Sequence, residues 1–249
     1  MLVSIITPVY NAALWIPQTY SSLCNQTHKN WEWLVTDDCS SDDSYDFLCK
    51  IAEKDKRVKV FQNKINSGAA ISRNNSLVRA MGDFIAFIDC DDLWFPKKIE
   101  TQISAMEAKA LNFSFTGYQL IDTNGRSLRV HVDSNHFYPL SYEDMLRKKA
   151  TIGCSTVMLR TMAFEDILMP NIRTGQDYAL WLSLLKKGEL AYPINDILTS
   201  YRIVPGSISR NKFHKAKRQW MIYREIEKLT ITKSLICFCW YAWRAIFRK

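Results

Sequence analysis

Residues 82–94 read Gly82-Asp83-Phe84-Ile85-Ala86-Phe87-Ile88-Asp89-Cys90-Asp91-Asp92-Leu93-Trp94. Residues 84–88 form a continuous run of aromatic and branched apolar side chains, which is typical of a strand covered on both faces in a parallel sheet. Three carboxylates, on Asp89, Asp91 and Asp92, follow at the carboxyl end of this strand, where open α/β sheets bind ligands. The stretch therefore predicts a parallel sheet with a ligand-binding site at the carboxyl ends of its strands.

Carboxylates that lie so close together repel one another. A hard divalent cation would relieve this repulsion and could bridge to the oxygens of a phosphate. The alternative is an acidic turn that only caps the helix expected after Pro96.

The preceding residues alternate between strand and helix patterns. Strands are expected at 2–6, 31–36 and 58–61. Helices are expected at 14–24, from the Ser and Asp cluster at 40–44 to about residue 53, and from Gly68 to Gly82. This order indicates an α/β fold with a doubly wound, mostly parallel sheet. The second half predicts helices at 97–111, 141–148 and 178–187, strands at 113–121, 127–132 and 155–159, and extended segments at 191–193 and 198–203.

The charge is unevenly distributed along the chain. The 249 residues carry a formal net charge of +8, but residues 210–249 hold eleven Lys and Arg against two Glu, which leaves about −1 for residues 1–209. A basic surface that tracks nucleic acid across the fold is therefore not expected. The seven Cys lack metal-site spacing, and the N-terminus lacks the basic segment of a signal peptide, so we expect reduced thiols in the cytoplasm.

Four segments, taken together, resemble the inverting glycosyltransferases of family 2, which have the GT-A fold. They are Ser4-Ile5-Ile6-Thr7-Pro8-Val9-Tyr10-Asn11, Asp37-Asp38-Cys39-Ser40, Asp89-Cys90-Asp91-Asp92 and Gly175-Gln176-Asp177-Tyr178-Ala179-Leu180-Trp181. The third segment is the family's Asp-x-Asp signature. The resemblance implies a catalytic domain at 1–210, with a Rossmann-like nucleotide-binding half at 1–92 and an acceptor half at 93–210, followed by a C-terminal helical extension.

The resemblance also implies roles for individual residues. Thr7, Pro8 and Asn11 would line the nucleotide pocket, and Asp38 would accept a hydrogen bond from the uracil imide. Asp89 would face the ribose, Asp91 would bind Mn²⁺ or Mg²⁺ on the diphosphate, and Asp177 would be the general base. Arg202, with Tyr201 and Ser207-Ile208-Ser209, would close over the diphosphate.

Elementary chemistry agrees with these roles. A metal at Asp91 would stabilise the sugar-diphosphate leaving group, and a base at Asp177 would accept the acceptor hydroxyl's proton. One displacement inverts the anomeric carbon, so an α-linked donor would yield a β product.

Simpler interpretations stay open for several of these residues. Asp37, Asp38 and Asp177 could only cap helices, Arg202 could be a solvated surface residue, and Arg73 with Asn74 could serve packing rather than the pocket.

Two positions depart from the family pattern. Gln176 stands where many relatives have Glu, and Val204 stands where many have His. If that His normally helps to bind the metal, this chain must hold the metal with Asp91, diphosphate and water.

The C-terminal segment 211–249 is expected to be helical, basic and aromatic. Residues 234–247 are mostly apolar, yet the run is too short to span a bilayer and contains Arg244. Such a composition suits the interface of an anionic membrane, although packing against the fold or a second subunit is an alternative.

The tail also resembles those of small bacterial glycosyltransferases, and the resemblance implies a peripheral enzyme at the cytoplasmic face of the inner membrane of a bacterium. It would transfer glucose or galactose from a UDP-sugar to a saccharide linked to undecaprenyl diphosphate, in O-antigen or capsule synthesis. One alternative is a sugar-nucleotide nucleotidyltransferase, although residues 7–14 lack the Gly, Lys and Arg that its loop would need. The other is a non-catalytic membrane scaffold.

Overall fold

The computed structural model describes residues 1–204 and 212–247. Its strands are β1 (Val3–Val9), β2 (Trp31–Asp37), β3 (Val58–Gln62), β4 (Phe84–Phe87), β5 (Leu93–Trp94), β6 (Phe113–Ile121), β7 (Ser127–Val132), β8 (Val157–Arg160) and β9 (Tyr192–Arg202). Its α-helices are α1 (Ile16–Cys24), α2 (Ser44–Lys54), α3 (Ala69–Leu77), α4 (Lys98–Ala108), α5 (Tyr142–Leu146), α6 (Gln176–Lys186), α7 (Lys212–Met221) and α8 (Ile231–Phe247).

The described strands form one sheet in the order β3-β2-β1-β4-β8-β6-β9-β5, with β7 paired to β6. Strands β3, β2, β1 and β4 are parallel, as the alternating pattern predicts. The sheet continues through β8, which is antiparallel to both β4 and β6, so the two halves share one sheet. The α/β class predicted from the sequence is therefore confirmed.

The second half differs from the expected elements in three places. The two extended segments at 191–193 and 198–203 are parts of one long strand, β9, which runs beside β6 with shifts in register. The strand expected from Ser155 begins two residues later, because Cys154–Thr156 forms a 3-10 turn. The short strand β5 was not predicted, and it pairs with β9.

Two apolar layers cover the sheet. One contains side chains of α1, α2 and α4, and the other contains side chains of α3, α5 and α6. Neighbouring residues of a strand point to opposite faces, so Ile5 belongs to the first layer and Ile6 to the second. Trp181 of α6 lies at the centre of the second layer, 5.4 Å from Phe87 and 5.3 Å from Phe113 between ring centroids.

The C-terminal segment is not one continuous helix. A π-helical turn at Ile222–Ile226 separates α7 from α8. Tyr223 is buried in the second layer. Glu227 accepts a hydrogen bond from the Tyr142 hydroxyl of α5 at 2.6 Å and forms an ion pair with Lys186 of α6 at 3.0 Å. One side of this segment therefore packs against the fold, as the alternative interpretation expected.

The other side of α8 is exposed. Its outward side chains include Ile236, Trp240, Trp243 and Phe247, which recur at helical spacing. Across the described residues, no helix combines the length and apolar character needed to cross a membrane.

Candidate active site

The carboxyl ends of β1, β2 and β4 meet at one edge of the sheet, because these strands are parallel neighbours. The backbone N–H of Asp38 donates to the carbonyl of Val9 at 2.7 Å, which joins the loops that follow β1 and β2. Asn11 strengthens this connection, since its side-chain oxygen accepts from the N–H of Ser41 at 2.8 Å. Asn11 has a φ of 48°, and its backbone N–H donates to Ser40 Oγ at 2.9 Å.

Asp38 holds the loop that enters α3. Its Oδ1 accepts from the N–H of Ser67 and from Asn63 Nδ2, both at 2.8 Å, and its Oδ2 accepts from the N–H of Gly68 at 2.7 Å. A carboxylate offers about four acceptor positions, so Asp38 can still accept one hydrogen bond. Asp38 therefore does not cap α2, the next helix along the chain, as the simpler interpretation held, because its carboxylate bonds to the loop before α3.

Thr7 and Pro8 lie within β1 and are buried. The hydroxyl of Thr7 accepts a hydrogen bond from Trp33 Nε1 at 2.8 Å, on the face of the sheet that α1 and α2 cover. The Thr7 side chain is therefore committed to the core, and any contact with a nucleotide would have to use the backbone. Strand alternation from Ile5 to Thr7 was the signal that could have indicated this.

Asp92 is a buried carboxylate that organises the acidic loop, residues 89–92 after β4. Its Oδ2 accepts from Ser155 Oγ at 2.5 Å, and its Oδ1 accepts from the backbone N–H of Arg202 at 2.9 Å. Ser155 Oγ in turn accepts from the backbone N–H of Asp89 at 3.0 Å. Burial, followed by the charges of Asp91 and Asp89, raises the pKa of Asp92 well above its ordinary value.

Asp89 forms an ion pair with Arg73 Nη2 of α3. Arg73 is almost fully buried, and its Nε has no hydrogen-bond partner among the described residues. The interpretation of Arg73 as a mere packing residue is thus replaced by a direct contact with the acidic loop. Asn74 instead bonds to the backbone of Met169, with its Nδ2 2.8 Å from the carbonyl oxygen.

Asp91 is the predicted metal ligand. Burial, followed by repulsion from Asp89, raises the pKa of the Asp91 carboxyl to about 6. A bound cation would remove this penalty, so the charge of the site fits a divalent metal. The described residues contain no group of three or more His, Cys, Asp and Glu side chains that could hold a metal. A cation at Asp91 would therefore need oxygens from diphosphate and water.

Arg202 is 2% exposed and contacts the backbone of the acidic loop. Its Nε donates to the Asp91 carbonyl at 2.8 Å, its Nη1 donates to the carbonyls of Asp122 and Thr123, and its Nη2 donates to Gln18 Oε1 at 2.8 Å. Most of the N–H donors of Arg202 are thus occupied. The interpretation of Arg202 as a solvated surface residue is therefore wrong. Contact with a diphosphate stays a prediction, and Ser207-Ile208-Ser209 lie outside the described residues.

Asp177 is the second residue of α6. It lines a cavity of about 650 Å³ together with Asp89, although the two residues come from distant parts of the sequence. Among the described residues, the other charged side chains that line this cavity are Lys148, Arg202, Lys215 and Arg218. A second cavity, of about 490 Å³, lies between α1 and β5, and no titratable side chain of residues 1–204 or 212–247 lines it.

Comparison with known proteins identifies the family. A family model described as glycosyl transferase family 2 matches residues 4–168. The chain belongs to this family. It is therefore a glycosyltransferase, and both alternatives, the nucleotidyltransferase and the non-catalytic scaffold, are set aside.

Relatives in this family match over nearly the whole chain. A Bacillus subtilis protein, provisionally assigned as the teichuronic acid biosynthesis glycosyltransferase TuaG, is 45% identical over 100% of this chain and 97% of its own length. The Escherichia coli protein WfgD, named UDP-Glc:alpha-D-GlcNAc-diphosphoundecaprenol beta-1,3-glucosyltransferase, is 40% identical over 88% of this chain and 84% of its own.

Solved structures agree on the fold. Staphylococcus aureus TarS in complex with UDP-GlcNAc has a TM-score of 0.72 at 20% identity and covers 90% of this chain and 67% of its own. The mannosyltransferase PcManGT from Pyrobaculum calidifontis, in complex with GDP-Man and Mn²⁺, has a TM-score of 0.73 at 14% identity. The match covers 98% of this chain and 70% of PcManGT. The family 2 chain thus has the GT-A fold expected from its sequence.

Proposed function

We propose that this glycosyltransferase moves a hexose, glucose or galactose, from a UDP-sugar to a saccharide on undecaprenyl diphosphate, with inversion to a β-linkage. The observation that carries the proposal is the shared cavity of Asp89 and Asp177. A donor diphosphate at the end of β4 and an acceptor hydroxyl at the start of α6 would meet within this cavity.

Asp177 is the proposed general base. An in-line displacement needs a carboxylate that is ionised and within hydrogen-bond reach of the attacking hydroxyl. Asp177 lies in the first turn of α6, and packing of Trp181 one turn later in the core fixes the helix that carries it.

The donor is proposed to lie along the carboxyl ends of β1, β2 and β4. Asp38 would accept from the uracil imide with its remaining lone pair, the main chain at Thr7 and Pro8 with Asn11 would line the pocket, and Asp89 would face the ribose. Asp91 would hold Mn²⁺ or Mg²⁺. When bound, this cation would stabilise the negative charge on the departing diphosphate.

A lipid-linked acceptor is supported by the name of WfgD, which includes an undecaprenol diphosphate substrate. The exposed aromatic side chains of α8 and the +9 charge of residues 210–249 suit the surface of an anionic membrane. We therefore propose a nucleotide-binding half at 1–92, an acceptor half at 93–210 and a membrane-associating segment at 211–249. The enzyme would act at the cytoplasmic face of the inner membrane.

The transfer reaction tests this function. Wild type should move radioactive hexose from UDP-glucose or UDP-galactose to a synthetic lipid diphosphate saccharide, and product analysis should give a β-linkage. Asp177→Asn should lower kcat by on the order of 10³-fold, as loss of a general base does. Asp196→Asn, at an exposed position outside the cavity, is the matched control. Unchanged turnover in Asp177→Asn would remove this residue as the base.

The metal and membrane roles have separate tests. Asp91→Ala should abolish the increase in UDP affinity that Mn²⁺ produces in calorimetry, and an undiminished increase would count against Asp91 as a ligand. Replacing Trp240 and Trp243 by Ser should reduce co-sedimentation with anionic liposomes without changing the melting temperature, because both rings are exposed. Full retention on liposomes would exclude this surface of α8.

A further inference from the structure

Helix α7 supplies two cationic residues, Lys215 and Arg218, to the cavity that contains Asp177. Arg218 packs directly over Gly175, which precedes α6. A Cβ at Gly175 would lie 2.9 Å from Arg218 Cδ, and Gly175 has a φ of +77°, so a residue without a side chain is needed there. The loop before Asp177 thus accommodates the arginine of a helix far along the sequence.

These two cations have features of an anion site. The Nε of Arg218 is buried without a hydrogen-bond partner among the described residues. The pKa of Lys215 is lowered by burial and by the neighbouring charge of Arg218. Two adjacent cations and an unsatisfied buried donor are unfavourable in the free protein, and an anion bound between them would compensate both.

The position of these cations argues against the diphosphate of the donor. The acidic loop at the end of β4 is already paired with a different arginine, Arg73 of α3, and it is the proposed place of the metal. Arg218 instead lies against Gly175, two positions before Asp177, in the part of the cavity where the attacking sugar is proposed to bind. A saccharide whose hydroxyl reaches Asp177 would carry its own C1 phosphate about one sugar ring away from the base.

We propose that Lys215 and Arg218 bind the diphosphate of the lipid-linked acceptor and thereby select phosphorylated over neutral saccharides. This inference rests on the proposed function, because it assigns the acceptor site of the same reaction. Arg is suited to this task, since its planar guanidinium can form two parallel hydrogen bonds to a phosphate.

The structure of the C-terminal segment supports the inference independently. Trp220, two residues after Arg218, packs edge-on against Phe238 of α8 at 5.6 Å between ring centroids. The same helix α8 exposes Trp240 and Trp243 on its other side. The residues proposed for the diphosphate and the surface proposed for the membrane therefore belong to one packed unit, as a substrate with a lipid tail requires.

The test compares two acceptors of one sugar. One is an N-acetylglucosamine diphosphate with a short alkyl chain, and the other is the alkyl glycoside without phosphate. In the double variant Lys215→Gln/Arg218→Gln, we expect the ratio of kcat/KM between the phosphorylated and the neutral acceptor to fall ten- to a hundredfold. The KM for the UDP-sugar should change less than twofold.

The matched control is Lys217→Gln, which removes a charge from an exposed position of the same helix. It should leave the ratio unchanged, and the melting temperatures of both variants should agree with wild type within about 2 °C. Arg218→Lys should recover part of the ratio, because it restores charge without the bidentate geometry. Inhibition by a short prenyl diphosphate without a sugar gives a second measurement, and its Ki should rise at least tenfold in the double variant.

Each other outcome overturns the inference in a recognisable way. An equal effect on both acceptors, or an unchanged Ki for the prenyl diphosphate, would exclude an acceptor-phosphate site. A weaker affinity for UDP in calorimetry would assign the two cations to the donor diphosphate. Failure of wild type to use the phosphorylated acceptor would instead refute the proposed function, and the acceptor site with it.

Discussion

Ser155→Ala is expected to destabilise the protein far more than the loss of one hydroxyl group suggests. Ser155 is 1% exposed and joins two parts of the acidic loop. Its hydroxyl donates to Asp92 Oδ2 at 2.5 Å and accepts from the backbone N–H of Asp89 at 3.0 Å. Alanine would leave a buried carboxylate oxygen without this donor and a backbone N–H without an acceptor.

The magnitude follows from these two groups. A buried polar group that loses its partner costs about 1–3 kcal/mol, so two such groups cost about 2–6 kcal/mol of unfolding free energy. For a chain of this size, about 1 kcal/mol corresponds to a shift of about 2–4 °C in Tm, so the variant should melt about 6–12 °C lower if the cost is near 3 kcal/mol.

Ser76→Ala is the matched control, because Ser76 is equally buried but makes one hydrogen bond, to the neutral hydroxyl of Thr36 at 2.8 Å. Its expected cost is about 1 kcal/mol. Urea unfolding in the presence of a metal chelator would measure both variants without a contribution from bound cation. If Ser155→Ala and Ser76→Ala agree within about 0.5 kcal/mol, the proposed coupling of Ser155 to the acidic loop is wrong. At temperatures where both variants are folded, only Ser155→Ala should lower kcat/KM, by on the order of tenfold, through displacement of Asp89.

Two further predictions concern charges away from the cavity. Hydrogen bonds from Arg57 lower the pKa of Asp55 from its ordinary 3.8 to about 2, although burial opposes the shift, so the stabilisation is complete above pH 4 and lost as the pH falls toward 2. Asp55→Asn should therefore lower the free energy of unfolding by about 1 kcal/mol or less at pH 7. Measured by urea unfolding, its stability should also change less between pH 4 and 2 than that of wild type, and an equal change would contradict the role of Asp55. Lys98 is fully buried, with its Nζ 2.5 Å from Gln102 Oε1 and 4.1 Å from the ring centroid of Trp94, and burial lowers its pKa well below 10.5. The lowered pKa predicts that the free energy of unfolding rises with pH between neutrality and pH 10, and Lys98→Met should flatten this rise; an unchanged slope in urea unfolding of the variant would contradict it.

Local patterns were sufficient for elements in both halves of the fold. The apolar run at 84–88 and the helix expected at 141–148 each depend on residues close in sequence, and strand β4 and helix α5 are present at these places. Boundaries failed where pairing partners decide them. Strand β9 is continuous because β6 pairs with it along most of its length, and the sequence between its two expected parts contains Asn195 and Asp196, which usually favour a turn.

The sequence by itself determined the sheet, the family and the carboxylates at the strand ends, because hydrophobic periodicity and short polar motifs are properties of neighbouring residues. Only the tertiary structure decided which charges meet. Arg73 joins Asp89 across α3 and β4, and Ser155 reaches Asp89 from 66 residues away. Likewise, Arg218 comes to lie over Gly175 only because α7 packs back against the fold. Such contacts depend on strand register and helix packing, in which the energies of many distant side chains act together, and no single segment of the chain contains that information.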